Sequence, residues 1–278
     1  TQGGAKWDAT VQKPVLDTVV ASKPQAILIA ANDKTVMQKP IEAAIAAGIK
    51  VVLVDTTIDD PSSAVSEIAS DNYGGGKAAF DAVKQLQPKG GKVLVVSTSP
   101  GVSSVDARVL GFADKANADK KFNYLGVQYS NNEPAVAQRI VTAALAKNRD
   151  IVAVFATNLF SAQGVAAGIK QAGRAGKVTV VGFDAGSDQV KALKAGTVQA
   201  LIAQQPGTIG SKDVCVTCRV TASRQIPGMG VNPTLGLALM LIVLVMALLQ
   251  EEAVPEKARR VTLNVFAAGD WKSVYLKA

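Results

Sequence analysis

Short apolar runs alternate with longer amphipathic segments from residue 10 to about residue 210. Continuous runs of Val, Ile, Leu and Ala are typical of strands that are covered by helices on both faces of a parallel sheet. Seven such runs are predicted strands: 26–30, 50–55, 92–97, 124–128, 151–155, 178–183 and 198–203. The amphipathic segments between them are predicted helices: 11–21, 35–47, 74–86, 104–117, 133–146, 161–172 and 187–194. The alternation predicts an α/β protein built from βαβ units.

A turn-forming cluster at residues 88–91 separates these units into two groups, so the pattern predicts two α/β lobes. Ligands of parallel sheets bind beyond the carboxyl ends of the strands. Asp184 follows the strand 178–183 directly and is therefore a candidate site residue. It could instead cap the next helix, with Gly186 and Ser187 completing the turn, and spacing alone favours that capping interpretation.

Composition excludes several classes of function. Thirty Lys and Arg against 22 Asp and Glu give a net charge of +8, but the basic residues are scattered, so no nucleic-acid partner is predicted. The chain has no histidine, which removes Ser-His-Asp and Cys-His catalysis in their usual forms. Neither a nucleophile elbow nor a phosphate-binding P-loop motif occurs. Cys215 and Cys218 cannot form a four-ligand zinc site alone, so we predict no metal site. Since the catalytic and phosphate-binding motifs are also missing, we predict no enzyme activity and no cofactor.

The alternation of apolar runs and amphipathic segments ends after residue 213. Residues 235–249 contain no polar side chain, but they are fewer than the ~20 residues that a membrane-spanning helix needs. A membrane span, a buried helix and a signal-type hydrophobic region all remain open interpretations. No signal peptide is recognisable at the start of the chain, which begins Thr-Gln-Gly-Gly.

Seven strings in order along residues 1–213 resemble the periplasmic sugar-binding proteins of the ribose-binding type, whose core is shared with lactose-repressor-type regulators. They include Ile-Leu-Ile-Ala-Ala-Asn-Asp at 27–33 and Val-Gly-Phe-Asp at 181–184. The others lie at 46–55, 68–72, 108–112, 154–158 and 202–206. The resemblance implies two doubly wound parallel-sheet lobes with a ligand cleft between them. It assigns residues 1–70 and part of 206–278 to the first lobe and 71–205 to the second, while 214–260 is an atypical segment with an apolar helix at 235–249.

The same resemblance implies which residues bind the sugar. The family's polar contacts fall on Asp55, Arg108, Asn158, Asp184 and Gln204. Ionised and amide side chains suit this role because they hydrogen-bond adjacent hydroxyls. The chain departs from the family in having Ala30 in place of an Asn, Thr56 in place of a frequent Arg, and Asn132 near the position of an aromatic residue.

The implied function is that of a non-enzymatic solute-binding component of an ATP-driven importer. It would be a periplasmic monomer that closes on a monosaccharide or polyol about hinges near 70–71 and 204–205 and then contacts a membrane permease. One alternative is a sugar-sensing regulator core, which would need a DNA-binding headpiece. The other is a truncated or fused derivative, because about 40 opening residues of the family pattern, including the first strand, have no counterpart here.

The final stretch, residues 261–278, resembles that missing opening weakly. In that interpretation residues 261–266 form a strand beside 26–30, and Trp271 approaches the cleft near Asp55. The competing interpretation is that 261–266 replace the family's own closing strand at the margin of the sheet.

Overall fold

The computed structural model describes residues 6–211. Its strands are β1 (Ala26–Ile29), β2 (Lys50–Val54), β3 (Ser66–Ile68), β4 (Gly91–Ser97), β5 (Phe122–Tyr129), β6 (Ile151–Ala156), β7 (Thr179–Phe183) and β8 (Ala200–Ile202). Its helices are α1 (Ala9–Ala21), α2 (Gln38–Ala46), α3 (Asn72–Leu86), α4 (Ser103–Ala118), α5 (Pro134–Lys147), α6 (Leu159–Gln171) and α7 (Ser187–Lys194). Residues 206–211 are also helical. The predicted α/β fold is confirmed, with element ends that shift by a few residues.

The strands form two parallel sheets, one in each lobe. The first has the order β1-β2-β3 and the second β5-β4-β6-β7-β8. The first sheet repeats the last three strands of the second, with α2 joining β1 to β2 as α6 joins β6 to β7. The repeat extends to the strand ends, since Asp55 N–H donates to the Ile68 carbonyl and Asp184 N–H to the Ile202 carbonyl, both at 2.8 Å.

The second sheet has a core on each face. Along β6, Val154 and Ala156 join the core formed with α5 and α6. Ala153 and Phe155 point to the opposite core, which contains Phe112 of α4. This alternation is what the side-chain period of a strand buried on both sides requires. The first lobe has a separate core from α1, α2, β1 and β2.

Within residues 6–211, the chain crosses between the lobes at two adjacent points. One crossing lies between the end of β3 and the start of α3, and the other lies at residues 203–205, after β8. Ser70 Oγ donates a 2.8 Å hydrogen bond to Gln204 Oε1, so the two crossings are directly linked.

Glycines let α3 and α4 approach each other closely. Gly74–Gly76 lie inside α3, which Asp71 caps by accepting from Gly74 N–H at 2.8 Å. A Cβ added to Gly76 would overlap the Arg108 carbonyl, and one added to Gly111 would overlap the Tyr73 carbonyl. Gly76 and Gly111 therefore serve the packing of α3 against α4.

The expectations for residues 214–278 lie outside the described residues. They concern Cys215, Cys218, the apolar segment 235–249, the strand 261–266 and Trp271. Within residues 6–211, no helix is long and apolar enough to cross a membrane, and no cluster of Cys, Asp and Glu could hold a metal ion.

We expect Gly111→Ala to lower the free energy of unfolding by about 1–3 kcal/mol, because the new methyl must push α4 away from α3. Urea denaturation of the purified protein measures this change. Leu110→Ala is the matched control: this neighbouring side chain is 56% exposed, and its truncation should change the free energy by no more than about 0.5 kcal/mol. Equal effects of the two substitutions would contradict the packing role of Gly111.

Candidate functional site

The candidate site is a cavity of about 130 Å³ between the lobes. Asp55 follows β2, Asn158 follows β6, and Asp184 and Gln204 lie just beyond β7 and β8, so four strands present a polar side chain at their carboxyl ends. Arg108 reaches the same cavity from α4. The five polar residues predicted from the sequence therefore line one cavity, and so does Asn132.

Arg108 is the most buried of these residues, with 3% of its surface exposed. Its Nε donates to Asn72 Oδ1 and its NH1 to the Thr157 carbonyl, both at 2.9 Å. A longer contact of 3.4 Å joins NH2 to Gln204 Oε1. The guanidinium also lies 3.6 Å from the centroid of the Phe183 ring, within the range of a cation–π interaction. These contacts fix the Arg108 side chain inside the protein.

Two carboxylates compensate for the burial of this cation. Burial lowers the pKa of Arg108 from its ordinary value, and the negative charges of Asp184 and Asp55 act in the opposite direction. An uncompensated charge at this depth would be very unfavourable. The arginine and the two aspartates are therefore one electrostatic unit.

Gln204 orients Asp184. Its Nε2 donates to Asp184 Oδ1 at 2.7 Å, while its Oε1 accepts from Ser70 and Arg108. The capping interpretation of Asp184 is wrong: Gly186 is the N-cap of α7, and Gln189 closes that turn by accepting from Gly186 N–H at 2.9 Å. Asp184 instead adopts a positive φ of 73° at the end of β7.

Asn158 both caps a helix and lines the cavity. Its Oδ1 accepts from Ser161 N–H at 3.1 Å, at the N-terminus of α6. Its Nδ2 donates to Asn132 Oδ1 at 2.6 Å. The cap fixes the side chain, and the amide contact joins it to the loop that precedes α5.

Asp55 retains an unused acceptor. Its backbone has a φ of 63°, like that of Asp184 in the other lobe. The Oδ1 atom is buried and accepts no hydrogen bond within residues 6–211. Burial raises the pKa of this carboxyl, and Asp184 raises it further, whereas Arg108 opposes the shift. A buried carboxylate oxygen without a partner is poised to accept a hydrogen bond from a ligand.

Sequence reasoning missed several lining residues. Trp7, Thr98 and Ser104 line the cavity, as does Thr56, which the sequence presents only as a departure from the family. Thr98 follows the end of β4 directly, so a search of every predicted strand end would have found it. Trp7 also lines a wider opening of about 690 Å³ beside the cavity. Trp271, the aromatic residue predicted near Asp55, lies outside the part of the chain that the structure covers.

Direct contacts hold the lobes together beside the cavity. Lys34 N–H donates to the Gly101 carbonyl at 2.9 Å, and Thr57 N–H donates to Ser103 Oγ at 2.8 Å. Lys34 Nζ lies 3.8 Å from Asp106 Oδ2. We refer to these three contacts as the interlobe latch. They show that the lobes are closed on each other.

The site can bind a small ligand that offers several hydroxyl groups. It combines a buried cation, two carboxylates and two amides, so each ligand hydroxyl can find both a donor and an acceptor. Trp7 adds an apolar aromatic surface at the mouth.

Comparison with known proteins identifies a matching family model and several relatives. The Periplasmic binding protein domain matches residues 1–220. The ribose import binding protein RbsB of Haemophilus influenzae is 38% identical over 164 residues, which are 59% of this chain and 53% of that protein. RbsB of Salmonella typhimurium is 34% identical over 200 residues, 72% of this chain and 67% of the relative. The chain thus spans only about half of the Haemophilus protein.

Solved structures agree in fold. A solute-binding protein of an ABC transporter from Agrobacterium vitis, bound to α-D-tagatopyranose, superposes with a TM-score of 0.75 at 37% identity, covering 80% of this chain and 78% of its own. Another from the same organism, with bound D-fucose, gives a TM-score of 0.77 at 31% identity, covering 81% and 79%. These neighbours confirm the predicted pair of parallel-sheet lobes, and the relatives are binding proteins rather than enzymes, as the sequence predicts. The chain belongs to the periplasmic binding protein domain family.

Proposed function

We propose that the chain binds a monosaccharide or polyol between its two lobes, as the solute-binding component of an ATP-driven importer in the periplasm. The observation that carries the proposal is the convergence of Asp55, Arg108, Asn158, Asp184 and Gln204 on one interlobe cavity, with Asp55 Oδ1 still unused. The names of the relatives support it, since they include import binding proteins for ribose and D-apiose and a D-allose-binding periplasmic protein.

The charges of the site favour a neutral ligand. Asp55 and Asp184 outnumber Arg108, and the guanidinium already donates to three protein acceptors. A carboxylate or phosphate on the ligand would therefore meet a net negative site with little free cationic capacity. A neutral polyhydroxylated ligand meets charge-assisted hydrogen bonds without that repulsion.

Ligand and partner are coupled through closure. A ligand held by residues of both lobes stabilises the closed state over the open one, because only closure lets both sets of residues contact it. In the proposed importer the closed lobes present a continuous surface to a membrane permease. No cofactor enters this scheme.

The function is tested by a thermal-shift screen of the purified chain against neutral pentoses, hexoses and polyols. A ligand at a hundredfold excess over its Kd should stabilise the protein by about 2.7 kcal/mol.

Asp184→Ala should weaken binding by about 1.5–3 kcal/mol, because it removes a charged acceptor, and titration calorimetry measures the change.

The matched control is Asp188→Ala. Asp188 is an exposed aspartate in the first turn of α7 that pairs with Lys191, away from the cavity, so its removal should leave affinity unchanged. Failure of every sugar and polyol to stabilise the wild type would overturn the proposal. Equal affinities of Asp184→Ala and wild type would remove Asp184 from the site.

Sugar affinity should fall as the pH drops through the pKa of Asp55. That pKa lies above 3.8 in the ligand-free protein, and only the ionised carboxylate offers both oxygens as acceptors, so binding should be full above the raised pKa and weaken below it. The ligand-free stability should change in the opposite sense, falling as the pH rises from 3.8 to the raised value, because the folded state retains its proton longer than the unfolded state. Calorimetric titrations from pH 4 to 7 measure the first effect. Asp55→Asn should flatten this part of the profile, and an unaltered profile in that variant would assign the dependence to another group.

Gly101→Ala should raise the Kd on the order of tenfold, because it opposes closure. Gly101 has a φ of 90°, and an added Cβ would lie 2.5 Å from Asp33 Oδ2 across the cleft. Gly176→Ala is the control: its φ of 73° imposes a similar backbone strain, but nothing lies within 4 Å of the added Cβ. Titration calorimetry of both variants separates the effect of backbone strain on the Kd from the effect of impeded closure. Equal Kd values for Gly101→Ala and Gly176→Ala would contradict a role of the latch in closure.

A further inference from the structure

Three residues that line the cavity each have a buried polar atom without a hydrogen-bond partner in the described part of the chain. These atoms are Asp55 Oδ1, Thr56 Oγ1 and Thr98 Oγ1. Thr56 is 2% exposed and Thr98 4% exposed, so neither hydroxyl has free access to solvent. Buried hydroxyls in native proteins are almost always paired, so two unpaired hydroxyls on one small cavity need an explanation.

The two threonines belong to opposite lobes. Thr56 comes directly after Asp55 at the end of β2, and Thr98 comes directly after β4. Their backbones are held in place: Thr56 N–H donates to the Val54 carbonyl at 2.6 Å, and the Thr98 carbonyl accepts from Asn131 N–H at 2.8 Å. Their side-chain hydroxyls are left without partners within residues 6–211.

Neighbouring hydroxyls behind the cavity wall behave differently. Thr157 Oγ1 pairs with Ser97 Oγ at 2.9 Å, and the Ser130 and Ser161 hydroxyls lie 3.1 Å apart. None of these four residues lines the cavity. The packing around the end of β4 therefore pairs the hydroxyls of these four residues and leaves unpaired the hydroxyl of Thr98, a residue that lines the cavity.

We propose that Thr98 and Thr56 are specificity-determining ligand contacts that hydrogen-bond ligand hydroxyls from opposite lobes. The inference rests on the proposed function and deepens it. A threonine hydroxyl donates one hydrogen bond and accepts others without carrying charge, so this pair selects neutral ligands. The pair adds two hydroxyls to the polar lining that Asp55, Asp184, Gln204 and Asn158 provide. A ligand that lacks the hydroxyl facing Thr98 would leave that group buried and unpaired, and such a site rejects the analogue.

The test replaces each hydroxyl by a methyl of similar size. For the tightest ligand of the sugar and polyol screen, Thr98→Val and Thr56→Val should each raise the Kd about 3- to 10-fold, the range of one ordinary hydrogen bond. In the ligand-free protein the same substitutions should raise the melting temperature or leave it unchanged, because they remove an unsatisfied buried polar group. Thr98→Ser retains the hydroxyl and should bind more tightly than Thr98→Val.

Thr179→Val is the control for replacing a buried threonine. Thr179 is 5% exposed in the second lobe, and its hydroxyl accepts from Gln87 Nε2 at 2.8 Å, away from the cavity. We expect this variant to lower the melting temperature without changing the Kd, the opposite of both cavity variants.

The outcomes separate this inference from the proposed function. Tight binding by the wild type, with an unchanged Kd in both cavity variants, would overturn the inference and leave the function standing. A lower melting temperature of ligand-free Thr98→Val, matching that of Thr179→Val, would show that the Thr98 hydroxyl is already paired and would also overturn it. A wild type that binds no sugar or polyol would overturn both.

Discussion

The buried guanidinium of Arg108 is the constraint on which the rest of the site depends. A cation with 3% exposure must be surrounded by acceptors and compensated by negative charge, and the acceptors come from α3, from the end of β6 and from the chain segment after β8. Those elements therefore cannot move independently without leaving a buried charge unpaired. The glycines that bring α3 and α4 together belong to the same constraint, since Arg108 reaches Asn72 across that helix contact.

The repeated architecture of the lobes explains the two carboxylates. Asp55 and Asp184 occupy the same place relative to their sheets, each with a positive φ and each donating its N–H to the neighbouring strand. Closure of the lobes brings these like charges to one cavity. There the positive charge of Arg108 opposes the effect of Asp184 on the pKa of Asp55, and both carboxylates favour the charged form of Arg108. Within residues 6–211, Asp184 accepts from a protein side chain, Gln204, whereas Asp55 Oδ1 accepts from none. The symmetry of the two lobes is thereby broken, and Asp55 is the carboxylate that keeps an unused acceptor for the proposed ligand.

Much of this arrangement follows from the sequence because the relevant signals are local. Continuous apolar runs identify parallel strands, and a polar residue just beyond such a run identifies the edge where ligands bind. Burial is not local: nothing near Arg108 in sequence shows that Thr157 and Gln204 will enclose it, and spacing alone favours the wrong capping role for Asp184. The packing role of Gly76 cannot be predicted from the sequence for the same reason, since the group that it packs against is the Arg108 carbonyl on another helix. Thr98 follows a predicted strand directly and could have been found in this way, whereas Trp7 lacks a motif and is revealed as a cavity residue only by the closed lobes.

Closure of the lobes has an energetic consequence. The interlobe latch uses backbone groups, the Ser103 hydroxyl and the Lys34–Asp106 pair, none of which lines the cavity, so it favours closure whether or not a ligand is bound. The unpaired polar atoms on the cavity act in the opposite direction, because closure removes them from water without supplying a partner. A ligand that satisfies those atoms removes the opposing contribution and leaves the latch unchanged. Under the proposed function, hydrogen bonds to Asp55, Thr56 and Thr98 would thus add to the ligand's preference for the closed state, and the latch sets how much of that preference is needed to shift the population.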